Sequence, residues 1–510
     1  MAVQGITMPA PYGGLDLVSP IDQMEPFRAL ELINIIPESS APVLRKGYQE
    51  FADTLEGVTV QTVATMPLVN GDFELIVSAD DKVFKVNSSG VLTDLGITIT
   101  NSAWQTEVYS NRLYMANGSD TVKVYNSLTG TIADCTYTGV NKDDLINVSS
   151  YKNRVYFVEK ESANLWYGKV NTVGSNSVTL EDLSFAFTKG GFLVFGGSYT
   201  NQTAQTSADL FLAVSSEGEV LAYAGDDPTN WSIVARYFIG KPLGYRAFIR
   251  VNQDVWILTE QGIVPVGALF QADPEQANQT VSRLVNPLIS AAAQTLSFSP
   301  RWQGSFFPAG RRVYVQVPYS NSKAYLLVFS LSTGAWTKFH QDDDGDCLSL
   351  AIANGNPYYG SANGKVFQAE HEYADNSQPI NWKIETAFSF YGTRGNYKAF
   401  KDVRPLLKTI RGTGLKVGLS TDFKRIAPFE TITTSSGGTY THWSAAGSVA
   451  GDPGFTPWGS NWSSSVDYIY DRFATKGQGH CASITLAGEY KDKPLDLFGF
   501  EIRFDVGGQV

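Results

Sequence analysis

Basic side chains are concentrated in one stretch of the sequence, residues 394–425, where nine lysines and arginines stand against two acidic residues. Pro405 lies within this stretch and argues against a continuous helix, so we expect strands with exposed ends. Two interpretations stay open: an ordinary solvated sheet face, or a contact with an acidic neighbouring surface or a DNA backbone. The residues that we assign to such a contact are Arg394, Lys398, Lys401, Arg404, Lys408 and Arg411.

Catalytic chemistry has little support in the sequence. The four histidines have no spacing that would converge on a metal ion, and G-x-S-x-G, P-loop and C-x-x-C motifs are absent. Residues 342–346 hold four aspartates, but an EF-hand spacing would need ligands at His340 and Ala351, and neither can serve. We expect a solvated turn there, with weak cation binding as the alternative. We predict no catalytic, metal-binding or cofactor-binding residue, no cofactor and no enzymatic activity.

The composition predicts a well-packed chain without membrane segments. Of the 510 residues, 17% are charged and 13% are aromatic, which excludes a disordered chain. The longest apolar stretches are far shorter than the roughly 18 residues that cross a bilayer, so no membrane partner is expected. The amino terminus has no signal-peptide pattern, so we do not expect secretion by that route. The three cysteines are far apart and odd in number, which predicts buried thiols at Cys135, Cys347 and Cys481.

The net charge of −11 is unevenly distributed along the chain. Residues 1–381 contain 24 Lys and Arg against 38 Asp and Glu, whereas residues 382–510 contain 15 against 12. Generic wrapping of nucleic acid requires many cations to replace the phosphate counterions, and the acidic balance argues against it.

A repeated pair of short apolar strands is the strongest signal of the fold. The pairs lie at residues 74–77 and 82–86, 112–115 and 122–125, 154–158 and 164–167, 209–213 and 219–223, 254–258 and 262–266, 312–315 and 325–329, and 357–359 and 365–368. Successive copies are 38 to 58 residues apart, which suits propeller blades of about 40–50 residues. We therefore predict an all-β protein with a β-propeller of about seven blades. The alternative is a pair of β-sandwiches whose hairpins only look periodic.

The pattern divides the chain into three predicted regions. They are an N-terminal arm or docking segment at residues 1–56, the β-propeller at 57–381, and a C-terminal β-sandwich domain at 382–510. The arm includes the best helix candidate, residues 25–36, although an extended arm is the alternative. We expect the arm to reach a neighbouring subunit or, alternatively, to pack as a strand or cap on its own propeller. Residues 59–66 are expected to close the ring against the last blade.

Four further segments stand out beside the repeats: GLDLVSP at residues 14–20, ALELINIIP at 29–37, LRKGYQEF at 44–51 and the ending DLFGFEIRFDVGG at 496–508. Together they resemble the tail hub or nozzle proteins of short-tailed bacteriophages, which are also called packaged-DNA stabilisation proteins. The order of arm, propeller-like repeats and terminal β-domain matches over the whole chain.

The resemblance implies a structural virion protein of the phage tail, made in the host cytoplasm. Such proteins form a ring, usually a homohexamer, below the portal and the adaptor or head–tail connector protein. The ring extends the DNA channel, retains packaged DNA until genome ejection, and anchors tail fibres or tailspikes. Contact with double-stranded DNA in the channel would be non-specific, and an acidic lumen would let the DNA slide without sticking.

A carbohydrate-binding or carbohydrate-cleaving propeller of a tail fibre or surface adhesin is the alternative function. Propeller glycosidases use paired carboxylates. Those of the sialidase type repeat a Ser-x-Asp-x-Gly-x-Thr-Trp turn. Residues 331–336 have the Trp of that turn but lack its Asp, which weakens this alternative.

Overall fold

The computed structural model describes residues 3–54, 57–203, 206–271, 280–320, 322–341, 346–392, 394–410, 414–425, 430–433, 466–469 and 471–509. The protein is all-β, with 55% strand and 5% helix. Among these residues, neither α-helix has the length and apolar character that a bilayer crossing requires.

Strands of two to fifteen residues follow one another along the chain. The first twenty are β1 Val3–Pro9, β2 Ala29–Ile33, β3 Ile35–Ile36, β4 Val43–Leu44, β5 Tyr48–Asp53, β6 Val60–Pro67, β7 Phe73–Ala79, β8 Lys82–Asn87, β9 Leu92–Thr98, β10 Gln105–Tyr109, β11 Arg112–Ala116, β12 Lys123–Asn126, β13 Thr131–Asp134, β14 Tyr137–Thr138, β15 Leu145–Tyr151, β16 Arg154–Glu159, β17 Asn164–Tyr167, β18 Asn176–Ser177, β19 Thr179–Asp182 and β20 Leu193–Thr203.

The remaining strands are β21 Thr206–Ser215, β22 Glu219–Ala224, β23 Ser232–Phe238, β24 Phe248–Val251, β25 Asp254–Thr259, β26 Gly262–Pro265, β27 Gln303–Phe307, β28 Arg312–Pro318, β29 Ala324–Ser330, β30 Ala335–Phe339, β31 Ser349–Ala353, β32 Asn356–Gly360, β33 Lys365–Ala369, β34 Ile380–Thr386, β35 Asn396–Ile410, β36 Gly414–Thr421, β37 Glu430–Thr433, β38 Val466–Ile469, β39 Phe473–Gly479, β40 Ala482–Tyr490 and β41 Leu495–Gln509. The α-helices are α1 Val266–Gln271 and α2 Asn286–Thr295, and short 3₁₀ turns lie at Pro228–Asn230 and Arg283–Val285.

The chain divides into two compact units. The propeller unit comprises Tyr48–Leu331 and Phe339–His371. The terminal unit comprises Met1–Gly47, Ser332–Lys338 and Glu372–Val510. This division differs from the three predicted regions, because the amino-terminal 47 residues belong to the same unit as the carboxy-terminal part of the chain.

Antiparallel sheets arranged as a β-propeller build the propeller unit. Five of the sheets have four strands: β6–β9, β10–β13, β15–β16–β17–β19, β20–β23 and β31–β32–β33–β5. Strands β27, β28 and β29 are successive antiparallel neighbours, and β24–β26 form a three-stranded sheet. The first strands of most successive sheets contact one another, as β10 does with β15 and β27 does with β31, which is the arrangement of strands around a common axis in a propeller.

The ring closes where the last sheet meets the first. The Thr65 hydroxyl on β6 donates a hydrogen bond to the Ile352 carbonyl on β31 at 3.0 Å. In return, the Ser349 hydroxyl on β31 donates to the Val60 carbonyl on β6 at 3.2 Å. Apolar clusters fill the spaces between neighbouring sheets, and one of them joins Met66 of the first sheet to Met115 of the second. Lateral packing therefore buries the faces that an isolated sheet would expose.

All seven predicted strand pairs are confirmed as antiparallel neighbours. The propeller arrangement has six blades, which differs slightly from the predicted count of about seven. The fifth predicted pair lies in a less complete sheet than most of the others. Its sheet, β24–β26, has only three strands and continues into helix α1 where a fourth strand would follow.

Strand β5 completes the last blade as its outer strand, whereas the predicted ring-closing segment at residues 59–66 contacts the last blade from the neighbouring first blade. Strand β5 pairs with β33 in an antiparallel register that sets Tyr48 opposite Ala369. Residues 59–66 instead supply most of β6, the first strand of the first blade. Part of the predicted arm is thus a propeller strand, which is the alternative that the sequence left open.

Asparagine-containing turns set the register of several hairpins. The β10–β11 connection has two residues, Ser110 and Asn111, with φ values of 51° and 59°. Lys152 and Asn153 form the corresponding turn between β15 and β16, with φ values of 45° and 59°. Positive φ at both central positions characterises the type I′ turn, whose twist matches that of the flanking strands.

Two groups of strands build the terminal unit. In the first, the long strands β35 and β41 are antiparallel neighbours, β1, β3 and β4 join on the side of β41, and β38 and β39 pair with β35. In the second, β2 lies between β30 and β34, followed by β40, β36 and β37. The predicted helix at residues 25–36 is wrong, because this segment forms β2 and β3. Its nearly continuous apolar residues are buried between strands, as Ala29, Leu32 and Ile35 are.

All three cysteines are buried free thiols, as the sequence predicted. Burial raises the pKa of Cys135 and of Cys481, which suppresses thiolate formation.

Candidate functional site

Strand β35 carries most of the predicted contact residues. Those on the strand are Lys398, Lys401, Arg404 and Lys408. Arg394 lies two residues before its start, and Arg411 lies outside the described residues.

Lys398 is not available to a partner. Its side chain is 1% exposed, and its ammonium group donates hydrogen bonds to the carbonyls of Asn396 at 3.0 Å and His480 at 3.1 Å. Burial lowers the pKa of Lys398. This lysine is a structural residue that satisfies backbone acceptors inside the unit.

Carboxylates on the neighbouring strand β41 neutralise two further members of the set. The Lys401 ammonium lies 2.9 Å from the Asp505 carboxylate, and the Arg404 guanidinium lies 3.1 Å from that of Glu501. These cations and carboxylates alternate across the antiparallel pair. The excess of basic residues in the sequence is therefore compensated in the sheet by acidic residues that are about 100 positions away.

Asp402 is the centre of a larger charge network on the same strands. Its carboxylate is 8% exposed and receives hydrogen bonds from Arg503 at 2.9 Å and Arg472 at 3.1 Å. Burial acts to raise the pKa of Asp402, but the hydrogen bonds from the two arginines outweigh it and lower that pKa below the ordinary value. Arg472 also pairs with Glu501 at 2.9 Å, which links the network to Arg404.

Arg394 and Lys408 differ from these paired residues. Arg394 is exposed, donates to the Asp22 carbonyl at 3.3 Å, and stacks on the Phe390 ring at 4.6 Å. Lys408 lies 5.9 Å from the centre of the Tyr468 ring. Within the described part of the chain, Arg394 has no carboxylate partner. Of the predicted set, it is the cation most open to a neighbouring surface.

The aspartate-rich turn at residues 342–346, predicted to be solvated, lies largely outside the described residues, which exclude residues 342–345 and His442. His480 approaches a carboxylate, with its Nδ1 atom 3.6 Å from Asp422 Oδ1. Among the described residues, no group of three or more His, Cys, Asp or Glu side chains is placed to hold a metal ion.

The propeller unit contains a site that the sequence reasoning missed. A cavity of about 380 Å³, here named the axial cavity, opens where several first strands begin. Gln105 starts β10, Phe192 immediately precedes β20, and Arg246 lies two residues before β24. The residues that line the axial cavity are Asn101, Ala103, Gln105, Asn117, Ser119, Ile146, Lys160, Glu161, Phe192, Tyr245, Arg246, Phe298, Ser299 and Pro300.

Arg246 is held rigidly in the wall of the axial cavity. Its guanidinium donates to the Gln61 carbonyl at 2.8 Å and to Gln303 Oε1 at 2.7 Å. The Gln303 amide donates in turn to Gln316 Oε1 at 2.7 Å and to the Leu348 carbonyl at 2.9 Å. Because both acceptors face the Gln303 nitrogen, its oxygen must face Arg246. The guanidinium is therefore oriented before any ligand arrives.

A second arginine lies close to the first without a balancing carboxylate. Burial, together with the positive charge of Arg301, lowers the pKa of Arg246 to about 10. Burial also lowers the pKa of Arg301, whose Nη1 atom is buried and has no hydrogen-bond partner among the residues that the structure describes. Neither guanidinium is paired with a carboxylate within the described ranges. A buried guanidinium nitrogen normally has a hydrogen-bond partner, so Arg301 Nη1 beside a second, half-buried cation calls for an explanation.

Three aromatic rings form one side of the axial cavity. The Phe298 ring meets that of Tyr245 at 4.9 Å and that of Phe192 at 5.6 Å, both edge to face. Phe298 remains 42% exposed. Burial raises the pKa of Tyr245 to about 12, so its hydroxyl stays neutral in ordinary solution.

The sequence contains little local information from which the axial cavity could be predicted. Its lining comes from loops and strand starts that are far apart in the sequence, and these segments share no motif. The only local signal is the pair Tyr245 and Arg246 directly before an apolar strand, which is too short to be specific.

Comparison with known proteins gives little beyond distant structural similarity. No known protein family and no curated protein matches the sequence. Solved structures that match include the Neurospora crassa Pan2 WD40 domain, with a TM-score of 0.41 and 10% identity over 64% of this chain and 97% of that chain. The computationally designed Ika8 protein matches with a TM-score of 0.39 and 11% identity over 63% of this chain and 99% of that chain. A catalytically inactive virginiamycin B lyase from Staphylococcus aureus with quinupristin matches with a TM-score of 0.40 and 10% identity over 61% and 95%. With TM-scores this low, these similarities carry no argument about this chain.

Proposed function

We propose that this chain is a structural subunit of the tail nozzle or hub of a short-tailed bacteriophage. In this role it forms a homohexameric ring below the portal and the adaptor, extends the DNA channel, retains packaged DNA until ejection, and anchors tail fibres or tailspikes. The resemblance of the four segments at residues 14–20, 29–37, 44–51 and 496–508 supports this role.

The observation that carries the proposal is the distribution of charge between the two units. The propeller unit contains 20 Lys and Arg against 31 Asp and Glu, which accounts for the whole net charge of −11. The terminal unit contains 19 of each sign. A channel wall formed by acidic propellers would repel the DNA phosphates, so that the genome passes without adhering.

The path of the amino-terminal segment also supports the proposed role, because a subunit that retains packaged DNA must withstand force. Residues 3–53 supply β1–β4 to the terminal unit and β5 to the last blade of the propeller unit. A subunit that retains packaged DNA benefits from strands that are hydrogen-bonded along their length. In this proposal the two strand groups of the terminal unit pack face to face as the predicted β-sandwich.

A carbohydrate-binding propeller of a tail fibre or surface adhesin is the second candidate. The axial cavity, with its aromatic wall and arginine, is the observation that favours it. The two candidates differ in assembly, because a nozzle requires a closed ring whereas a fibre or adhesin propeller works as a monomer or trimer.

Native mass spectrometry and negative-stain microscopy of the full chain separate the candidates. The nozzle role predicts a closed ring of about six subunits, since ring closure gives every subunit two partners. A stable monomer or trimer that binds glycans would overturn the nozzle role and support the second candidate. The Arg394→Glu variant is informative beside Lys401→Glu, because Lys401 pairs with Asp505 whereas Arg394 has no carboxylate partner among the described residues. If β35 contacts an acidic neighbouring subunit through Arg394, the Arg394→Glu variant should contain more monomer than the Lys401→Glu variant. The difference should be largest at low salt, where the repulsion is least screened.

A further inference from the structure

We propose that the axial cavity binds a monosaccharide unit that carries a carboxylate group. This assignment goes beyond the nozzle role and does not depend on it, since it concerns only the propeller unit. Three features of the cavity support the assignment: an oriented guanidinium, a charge balance of the lining that suits one negative charge, and an aromatic wall that suits an apolar ring face.

Arg246 supplies the anion-binding group. A guanidinium has five N–H donors, and two hydrogen bonds of Arg246 are made to described residues, those with Gln61 and Gln303. The remaining donors belong to a side chain that lines the cavity. A carboxylate is the planar acceptor that matches the guanidinium fork in two parallel hydrogen bonds. Such an anion would also relieve the repulsion between Arg246 and Arg301, neither of which is paired with a carboxylate among the described residues.

The charges of the lining favour a ligand with a single negative charge. The charged residues in the wall are Lys160, Arg246 and Glu161, which leave one positive charge in excess. A phosphate ester with nearly two negative charges would be repelled by Glu161. A carboxylate balances the charge of the lining residues, and the nearby Arg301 adds one further positive charge.

The remainder of the lining suits a small sugar ring. The C–H face of a pyranose is apolar and packs against aromatic rings such as Phe298 and Tyr245, whereas its hydroxyl groups need polar partners at the edge. Asn101, Gln105 and Ser119 line the same cavity and offer amide and hydroxyl groups. The volume of about 380 Å³ lies at the small end of the range of about 300–1,000 Å³ for small-ligand sites.

Calorimetric titration of the full chain with glucuronate, glucose and inorganic phosphate tests the proposal. We expect glucuronate to bind at least about tenfold more tightly than glucose, because only glucuronate forms the charge-assisted pair with Arg246. Arg246→Gln should remove this difference. Phe298→Ala should weaken glucuronate binding about tenfold, and since Phe298 is 42% exposed, this variant keeps the test valid if Arg246→Gln fails to fold. The matched control is Arg250→Gln on β24, an exposed arginine that pairs with Glu107 outside the cavity lining.

Several outcomes would overturn the assignment. Equal binding of glucose and glucuronate would show that Arg246 does not anchor the ligand. Phosphate binding that is tighter than glucuronate binding and insensitive to Phe298→Ala would mean a general anion site. Loss of binding in Arg250→Gln as large as in Arg246→Gln would place the ligand elsewhere. None of these results depends on whether the chain forms a ring, so a failure here is distinguishable from a failure of the nozzle role.

Discussion

At the scale of single residues, charged side chains occur in two contrasting environments. Asp402 is buried and receives hydrogen bonds from two arginines, so its negative charge is stabilised by the fold. Arg246 and Arg301 are close together, and neither guanidinium is paired with a carboxylate among the described residues. The first arrangement stabilises the fold. The second leaves positive charge without a carboxylate partner among the described residues, and this charge suits the binding of an anionic ligand.

Replacing Asp402 with Asn tests the structural arrangement. At neutral pH we expect a loss of about 1–3 kcal/mol in the free energy of unfolding, because two arginines lose their charged acceptor while remaining partly solvated. The pKa of Asp402 is lowered in the folded state, so its contribution is present above the ordinary value of 3.8 and is lost as the pH falls through the lower folded value. The difference between wild type and variant should therefore shrink below about pH 4 in denaturant titrations.

The control for this prediction is Glu489→Gln. Glu489 pairs with Lys416 at 3.0 Å, but its side chain is 59% exposed. Exposed ion pairs contribute little, so we expect a change below about 0.5 kcal/mol. If the two variants lost equal free energy of unfolding, the burial of Asp402 would not explain the contribution of its network to stability.

At the scale of elements, the propeller unit depends on a closing strand from an early part of the chain. Strand β5 completes the last blade through its pairing with β33. The Tyr48 ring packs edge to face on Phe367 at 5.0 Å and on Tyr359 at 5.5 Å. This closure joins residues more than 300 positions apart, and its loss would expose the edge of β33.

Replacing Tyr48 with Ala should weaken the closure selectively. We expect a loss of about 3 kcal/mol in the free energy of unfolding, as is typical when a buried aromatic ring is truncated. Hydrogen exchange should quicken first in β5 and β33, because the edge of the last blade opens before the rest of the ring. Phe185→Ala is the matched control, since that ring is 95% exposed and should contribute almost nothing. Uniform exchange across all blades would contradict a localised closure.

At the scale of the whole molecule, we expect the negative charge of the propeller unit to repel the phosphates of DNA. The basic residues of strand β35 do not attract DNA strongly enough to offset this repulsion, because Lys398 is buried and carboxylates pair with Lys401 and Arg404. The contact of β35 with an acidic neighbour or with DNA stays a hypothesis, and Arg394 is its best remaining candidate.

The salt dependence of DNA binding tests this balance. We expect the affinity of the full chain for duplex DNA to stay weak and not to rise as salt is lowered from about 150 mM to about 20 mM, because repulsion grows as screening falls. Fluorescence anisotropy with a labelled duplex measures the effect. A steep rise in affinity at low salt that Arg394→Gln reduces would contradict the prediction and establish a DNA contact at β35.

The hairpins were predictable because their signal is local. Alternation of apolar residues over four to eight positions, interrupted by Asn and Gly turns, predicted the seven strand pairs. The same short-range pattern could not show that the sheet β24–β26, which has the expected pair, contains three strands among the described residues. It also misassigned residues 25–36, because a continuous apolar run fits a helix and a buried strand equally well.

What the sequence determined by itself is the all-β character, the repeated hairpins and the uneven charge, because each depends on near neighbours or on composition. Only the tertiary structure decided that Tyr48 begins the closing strand, that Glu501 and Asp505 neutralise the basic strand, and that Arg246 lines a cavity near Arg301. These relations join residues that are tens to hundreds of positions apart. They arise because ring closure and strand pairing bring such residues together, and no local pattern encodes which distant strand will be the neighbour.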